Sequence, residues 1–381
     1  MFKVLIACFS KWDTSVELPY ILKRAGCIVD VYCYSDSWFL SNSYYDKWIE
    51  SNPEKDLYIL DLIELIKSSS YQLVVLADDP LIRYMNEADL DEDTFKKILP
   101  IIKPENRYML SSKMGLSLFC EKHNILAPAY INYNNIDDQI KLKTKLTFPV
   151  VVKRDFSSAG ADMFISNSYD DLILKLNNTT ESNNIMIQDF IEGNEIHVEA
   201  LFYKGYLLSY QNSDTIERAT NQFSYRTRKH YYKNTDLAPL LIYLGDTLGL
   251  NGFANISYMH RGNDYFLFEV DPRPNSWVAY SRFISDNDFS SGIKRIINGE
   301  YKMGYIDSPQ KKEFIEVALF YKDLRRALWK KDLKGIGRWI FNINGYWRFL
   351  PFYDLKLSKR IFSEIWKEIF APKWKKIFNY K

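Results

Sequence analysis

The 381-residue chain reads as an α/β protein with a parallel-sheet region first, a strand-and-turn region next, and a basic, aromatic, helical segment at its end. Three observations predict this. Short apolar runs alternate with helical patterns through the first hundred residues, strand–turn–strand patterns take over from Thr147, and charge separates along the chain. From Tyr321 to Lys381 there are 16 Lys+Arg against 5 Asp+Glu, a net of +11, which leaves −9 on residues 1–320. That last segment also holds five of the nine Trp. At 47% hydrophobic and 26% charged residues the chain is ordinary globular material with enough apolar surface for a large core, which excludes a disordered tail protein, a collagenous chain and a small disulfide scaffold. The overall charge of +2 argues against a dedicated nucleic-acid binder.

Element by element, Lys3–Phe9 reads as a buried strand, Ser15–Ala25 as an amphipathic helix with Leu18, Ile21 and Leu22 on one face, and Ile28–Cys33 as a second strand. Asn52-Pro53 opens a helix through Leu60, Leu62, Leu65 and Ile66, and Leu73–Ala77 follows as a strand. Strands separated by helices imply βαβ units and a parallel, Rossmann-like sheet. The loop after the first strand is Phe9-Ser10-Lys11-Trp12 with no glycine, so a dinucleotide fingerprint is missing. Ser111-Ser112-Lys113 leads a further helix, through Leu116, Leu118 and Phe119, that ends near Asn124. Phe148-Pro149 opens the strand Val150-Val151-Val152-Lys153, followed by a small-residue loop, Ser157-Ser158-Ala159-Gly160-Ala161, and a helix near Asp170–Leu176. Strands Ile185–Phe190, Ile196–Tyr203 and Tyr206–Tyr210 come next, the last two joined at Lys204-Gly205. Phe253–Met259 and Tyr265–Val270 form a second hairpin around Gly262-Asn263-Asp264.

Several local patterns carry chemistry. Lys153 ends an apolar strand and brings an ammonium to a sheet edge; read alone, it is equally an exposed strand-end lysine. The Ser157–Ala161 loop has side chains small enough for its backbone N–H groups to close over phosphate, or it is a plain turn. Glu269 and Asp271 are i and i+2 on a strand, so both carboxylates share one face, and Mg²⁺ is usually held by one or two carboxylates together with substrate phosphates. Arg273 follows at the strand exit, with a planar fork suited to a carboxylate or phosphate. His197 and Glu199 alternate with Ile196 and Val198 and so share a sheet face, where His197 serves a cleft or satisfies a structural role. The stretch Asp214–Lys233, rich in Arg218, Arg226, Arg228, Lys229 and His230, reads as a basic loop, either solvated or gripping an anion.

In chain order, Lys113 with its helix, the Val150–Gly160 strand and loop, Gln188-Asp189-Phe190-Ile191-Glu192-Gly193-Asn194-Glu195 and Phe268-Glu269-Val270-Asp271-Pro272-Arg273-Pro274 together resemble the ATP-grasp superfamily of ligases over residues 1 to about 290. The resemblance implies a Rossmann-like pre-ATP-grasp domain (1–105), then a two-lobed ATP-grasp α+β domain (106–300, hinge near 188–195), then the helical basic extension (301–381). It implies ATP and Mg²⁺ as cofactors. Lys113, Lys153, Ser157, Ser158, Gly160 and His197 would line the nucleotide site, with Gln188 facing the adenine amino group, Asp189, Phe190 and Ile191 giving the backbone hinge, and Glu195 holding the ribose hydroxyls. Glu269 and Asp271 would hold the metal; Arg273, Lys153, Arg226 and Arg228 would act on the reacting oxyanions. Two departures stand out. Asp271 takes the place of the family's usual Asn, and Ser257 stands where many members place an acidic or amide metal ligand.

The function so implied is activation of a carboxylate as an acyl phosphate and its joining to an amine or similar nucleophile. The carboxylate would be a small molecule or belong to a glycan or peptide. A carboxylase or carbamoyl-phosphate-type enzyme is the alternative, since Glu195-Ile196-His197-Val198-Glu199 is similar to the biotin-carboxylase branch; a nucleotide-binding scaffold without turnover is the third reading. Cys8, Cys27, Cys33 and Cys120 form no CxxC pair, which fits free thiols in a reducing cytoplasm. The six-residue apolar run Val4–Phe9 is too short for a signal peptide, and no run of about 18 apolar residues suggests a membrane span. The C-terminal segment, with Phe362, Ile365, Trp366 and Ile369 as an apolar stripe among cations, either packs on the body or docks on the inner face of an anionic membrane.

Overall fold

A computed structural model describes residues 1–133, 145–156, 163–177, 184–313 and 315–378, the last eleven as backbone alone. Its first sheet contains β1 (Lys3–Ala7), β2 (Ile28–Cys33), β3 (Lys47–Glu50) and β4 (Leu73–Leu76), all parallel, in the order β3-β2-β1-β4. β1 stops before Phe9 because the Phe9 and Ser10 amides leave the ladder and donate to the Asp78 carboxylate at 2.8 and 3.1 Å. The next helix begins at Leu18 rather than Ser15, with Pro19 in its first turn, where a missing N–H costs nothing. Asp78 also caps the helix Asp79–Glu87 by accepting from the Leu81 amide at 3.0 Å, which sets Asp79 at the carboxyl end of the sheet. Ligands of open α/β sheets gather at that edge.

A small lobe follows. β5 (Tyr130–Tyr133), β6 (Val150–Arg154), β7 (Phe164–Ser166) and β8 (Ile185–Asp189) form an antiparallel sheet in the order β5-β8-β6-β7. The helix Tyr169–Asn177 lays Leu172 and Leu176 on Val150, Val152 and Ile187 to make its core.

The large sheet joins β9 (Asn194–Tyr203), β10 (Tyr206–Arg218), β11 (Arg226–Tyr232), β12 (Gly252–Arg261), β13 (Asp264–Asp271) and β14 (Ile315–Ala318), antiparallel in the order β13-β12-β9-β10-β11-β14. Both expected hairpins are present, at Lys204-Gly205 and Gly262-Asn263. The expected basic loop is not a loop. β10 runs on to Arg218 and β11 returns from Arg226, because the cations have carboxylate partners: Arg226 on Glu195, Arg228 on Asp323 and Lys229 on Glu199, at 2.6, 2.7 and 2.6 Å. Paired in this way, charged residues can occupy a buried strand that polarity alone reads as solvated.

The C-terminal helices Phe320–Trp329, Leu333–Ile340 and Leu355–Phe378 are present, preceded by β14, a strand of four residues that pairs with β11. The first two pack on the body through a buried cluster that includes Tyr231, Trp277, Val317, Trp339 and Tyr346, and Leu355–Phe378 sets Phe362 edge-on against Phe320. Trp339 is held there by its indole N–H, which donates to Asp323 at 2.9 Å. The parallel sheet and the large sheet share one continuous core, in which Leu5, Leu76 and Ile82 belong with Phe202, Leu241 and Ile256. The result is a cleft walled by the small lobe, the large sheet and the first domain's carboxyl edge.

Candidate active site

The cleft encloses about 690 Å³ and carries charged side chains from every wall. On the small-lobe side, β6 carries Lys153 inward, not to an exposed edge. Its ammonium is buried, donates to Gln188 Oε1 on β8 at 2.8 Å, and lies 5.3 Å from the Phe268 ring centroid. Burial, seconded by the charge of Lys113, pushes this ammonium down to about 8, against the pull of Glu269 and Glu195. Lys113 opens its helix behind this wall, with Ser112 as the N-cap and Gly115 so close to Tyr108 that a Cβ would collide with the Tyr108 carbonyl. Its ammonium donates to the Asp155 carbonyl at 2.9 Å. Burial lowers its pKa, while Glu269 and Asp271 oppose the shift.

Where β8 ends, the Asp189 and Phe190 amides donate to the Ala129 and Pro149 carbonyls at 2.9 and 3.1 Å, while Ile191 lines the cleft. Gly193 then turns the chain beneath the large sheet, where a Cβ would collide with the His260 carbonyl oxygen. Glu195 follows at the start of β9 and accepts from Arg218 and, at 2.6 Å, from Arg226. Burial alone would raise its carboxyl; the Arg226 and Arg218 guanidiniums outweigh that and hold it far below the usual carboxylate range. The residue expected to hold ribose hydroxyls thus also anchors two guanidiniums.

A chain of hydrogen bonds crosses the floor. The Ser257 hydroxyl donates to Glu269 at 3.0 Å, so its oxygen accepts from His197 Nδ1 at 3.2 Å, and His197 Nε2 receives the Thr215 hydroxyl at 3.0 Å. This pattern assigns a neutral imidazole with its proton on Nδ1. Burial, with Arg226, depresses the imidazole's pKa well below its ordinary value and so favours the same neutral form. Ser257 stands opposite both Glu269 and His197 in the sheet register, which is why it links them. His197 and Glu199 both face the cleft, Glu199 accepting from Lys229 and Tyr231 at 2.6 and 3.1 Å.

Glu269, Asp271 and Arg273 reach the cleft together from the end of β13. Arg273 grips Asp79 with both arms of its fork, one at 2.7 Å, and lies 3.5 Å from Asp271. Asp271 keeps 36% of its side chain accessible within the cleft, yet is crowded by protein. Burial, then the charges of Asp79 and Glu269, push its carboxyl up to about 8, opposed by Arg273 and Lys113. Glu269 and Asp271 thus stand close enough to repel one another, with Asp79 nearby in the grip of Arg273, and the hard oxygens of Glu269 and Asp271 suit Mg²⁺. Among the described residues, no group of three or more His, Cys, Asp or Glu is arranged as a metal site.

Arg228 is not brought to the cleft. Its guanidinium is buried against Asp323, because β11 packs on the helix Phe320–Trp329. Ser157, Ser158 and Gly160 lie outside the described residues. Sequence reasoning missed Asp79, although Asp78-Asp79-Pro80 directly after β4 is a readable helix start at a strand's carboxyl end. It also missed the far end of the cleft, where Trp12 and Asp13 meet Tyr321, Lys322 and Arg325. Asp13 accepts from Tyr321 and, at 3.0 Å, from Lys322, and Arg325 donates to Tyr225. No local signal marks those residues; the pairing of β14 with β11 delivers them.

Residues 110–276 match the sequence model of the ATP-grasp domain. The carbamoyl phosphate synthase large chain of Clostridium botulinum (strain Loch Maree / Type A3) is 24% identical over 205 residues, half of this chain but only 19% of that protein's length. The chain thus spans about a fifth of that relative. An N5-carboxyaminoimidazole synthetase from Staphylococcus aureus, complexed with ADP, superposes with a TM-score of 0.62 at 12% identity, covering 87% of this chain and 86% of the other. An L-amino acid ligase from Bacillus licheniformis gives 0.57 at 16% identity, with 79% and 76% covered. At these identities the likeness is one of fold.

Proposed function

We propose that the chain, whose residues 110–276 match the ATP-grasp domain, is an ATP-dependent ligase that activates a carboxylate as an acyl phosphate and joins it to an amine or similar nucleophile. The observation that carries this reading is the convergence of Glu269, Asp271 and Asp79 beside Arg273, within one cleft that also receives Lys153 and Glu195. In this reading residues 106–300 form the ATP-grasp unit and the segment 188–195 its hinge. Glu269 and Asp271 would hold Mg²⁺, which when bound neutralises phosphate charge as reaction develops. Lys153 and Lys113 would meet the nucleotide's oxyanions from the small-lobe side, Lys153 held in aim by Gln188. Arg273, fixed by Asp79, would orient an oxyanion by its remaining edge, and Arg226, fixed by Glu195, would do the same nearer the acceptor. Catalysis by position and charge needs no protein nucleophile, and His197, neutral and hydrogen-bonded on both sides, keeps the floor rigid instead of exchanging protons. The four buried free cysteines fit a reducing, cytoplasmic setting.

The test is ADP release from ATP and Mg²⁺ across a panel of carboxylic acids and amines, with Glu269→Ala as control. Release that needs both an acid and an amine, and is lost in the variant, supports the ligase. The carbamoyl phosphate synthase relatives favour a second reading, for which bicarbonate alone would drive release. Mg²⁺-dependent ATP binding without turnover on any acid would overturn both in favour of a nucleotide-binding scaffold.

A further inference from the structure

We propose that the helix Leu333–Ile340 and the turn that follows it dock on an anionic lipid bilayer. The argument starts from which face of that helix is occupied. Gly335 and Trp339 point inward, Trp339 stacking its ring edge against Phe320 and Tyr346 with centroids at 4.9 and 5.1 Å. The N-cap Asp332, bonded to the Gly335 amide at 2.9 Å and to Arg326 at 3.0 Å, locks that orientation. The opposite face carries Leu333, Ile340 and Phe341, spaced i, i+7 and i+8 as one stripe of the helix, and these are 80, 61 and 76% exposed. A helix that buries one apolar face and leaves bulky aliphatic and aromatic side chains on the other has two apolar partners to satisfy, and the described residues supply only one.

Continuity extends the patch. The Trp347 indole donates to the Trp339 carbonyl at 2.7 Å, so its ring, 44% exposed, sits beside the last turn near Ile340 and Phe341. Exposed Trp329 precedes the helix across the Lys330-Lys331 turn.

Charge selects the occupant. Between Leu328 and Leu350 stand five cations, Lys330, Lys331, Lys334, Arg338 and Arg348, against the single carboxylate of Asp332; Asp332 is paired with Arg326, Lys330 donates to the Arg218 carbonyl and Arg338 pairs with Glu316, while Lys331 and Lys334 flank Leu333 of the stripe. A second copy of the same face would bring like charges together. A soluble polyanion would meet the cations and leave Leu333, Ile340 and Phe341 in water. A bilayer bearing anionic headgroups satisfies both, with hydrocarbon for the stripe and phosphate for the lysines. No helix among the described residues is long and apolar enough to cross a membrane, so the segment lies on the surface. The cleft is independent of this face, and the proposal stands whether or not the ligase reading holds.

The experiment is co-sedimentation of the full chain with vesicles of phosphatidylcholine alone and of phosphatidylcholine with phosphatidylglycerol. Binding to the mixed vesicles only, weakened by salt and by about fivefold for each cation removed in Lys331→Gln and Lys334→Gln, is expected. Leu333→Ser with Phe341→Ser should abolish it, and circular dichroism of that variant checks that the fold persists. Equal binding to both vesicle types, no binding, binding that survives Leu333→Ser with Phe341→Ser, or a concentration-dependent dimer that the same double change dissolves would each overturn the proposal.

Discussion

β11 and β13 are both charged strands of one sheet, and their charges are arranged in opposite ways. Along β11 the cations Arg226, Arg228 and Lys229 each meet a carboxylate from elsewhere in the chain, so the strand's charge is balanced inside the protein. At the end of β13, Glu269 and Asp271 stand near a third carboxylate, Asp79, and are offset by Arg273 on Asp79 and by Lys113 and Lys153 across the cleft. A balanced strand stabilises the fold; a strand left with excess like charge is strained in isolation and waits for a cation-bearing ligand. Stability and function should therefore separate between the two strands under mutation.

The largest effect expected is on turnover. Asp271→Ala should lower the ligase rate by about 100-fold or more, since loss of metal-borne charge stabilisation is worth several kcal/mol. The same change should leave the melting temperature unchanged or raise it, because it removes a repelled carboxylate; a drop in melting temperature would break the contrast. Next comes Asp323→Ala, which takes from buried Arg228 its nearer carboxylate, leaving Glu316 at 3.5 Å, removes one of Arg326's partners and leaves the Trp339 indole N–H without its acceptor. It should cost about 3–5 kcal/mol in urea denaturation, the usual penalty for an uncompensated buried charge.

A pH effect sharpens the comparison. Asp271 is pushed up to about 8, above its unfolded value of about 4, so the folded protein binds the extra proton between those limits. Its contribution to stability is complete below about pH 4 and is lost as pH rises to about 8. The melting temperature of nucleotide-free protein should fall across that window relative to Asp271→Asn, measured by calorimetry; parallel curves would refute it. A smaller effect concerns Lys153, lowered to about 8: nucleotide affinity should decline by about tenfold or less as pH rises past that value and the ammonium discharges, and Lys153→Arg should flatten the profile. Smallest of all, Phe341→Ser, on the exposed helix face, should change folding stability by less than about 0.5 kcal/mol.

The two strands also differ in how readily they are recognised in sequence. β13 alternates apolar and polar residues over Phe268-Glu269-Val270-Asp271, and its exit at Pro272-Arg273-Pro274 is marked by proline, so both its face and its end are local properties. β11, Arg-Thr-Arg-Lys-His-Tyr-Tyr, has no apolar alternation, and its strand character depends on Glu195, Glu199 and Asp323, which are far away in the chain. The same reason explains Arg228. Chemistry and spacing place it with Arg226, but packing against the helix Phe320–Trp329 turns it away from the cleft.

What the sequence by itself determined is everything written in short-range pattern: the βαβ beginning, the two hairpins, the helix capped at Ser112, the paired carboxylates of β13 and the division of charge near residue 300. What only the tertiary structure decided is which charges find partners. Asp79 reaches Arg273 because a parallel sheet puts its carboxyl edge against the large sheet. Tyr321, Lys322 and Arg325 reach the cleft because four residues, Ile315–Ala318, pair with β11. Pairing of that kind joins positions separated by tens to hundreds of residues, and its free energy comes from burial and electrostatics that no local window contains.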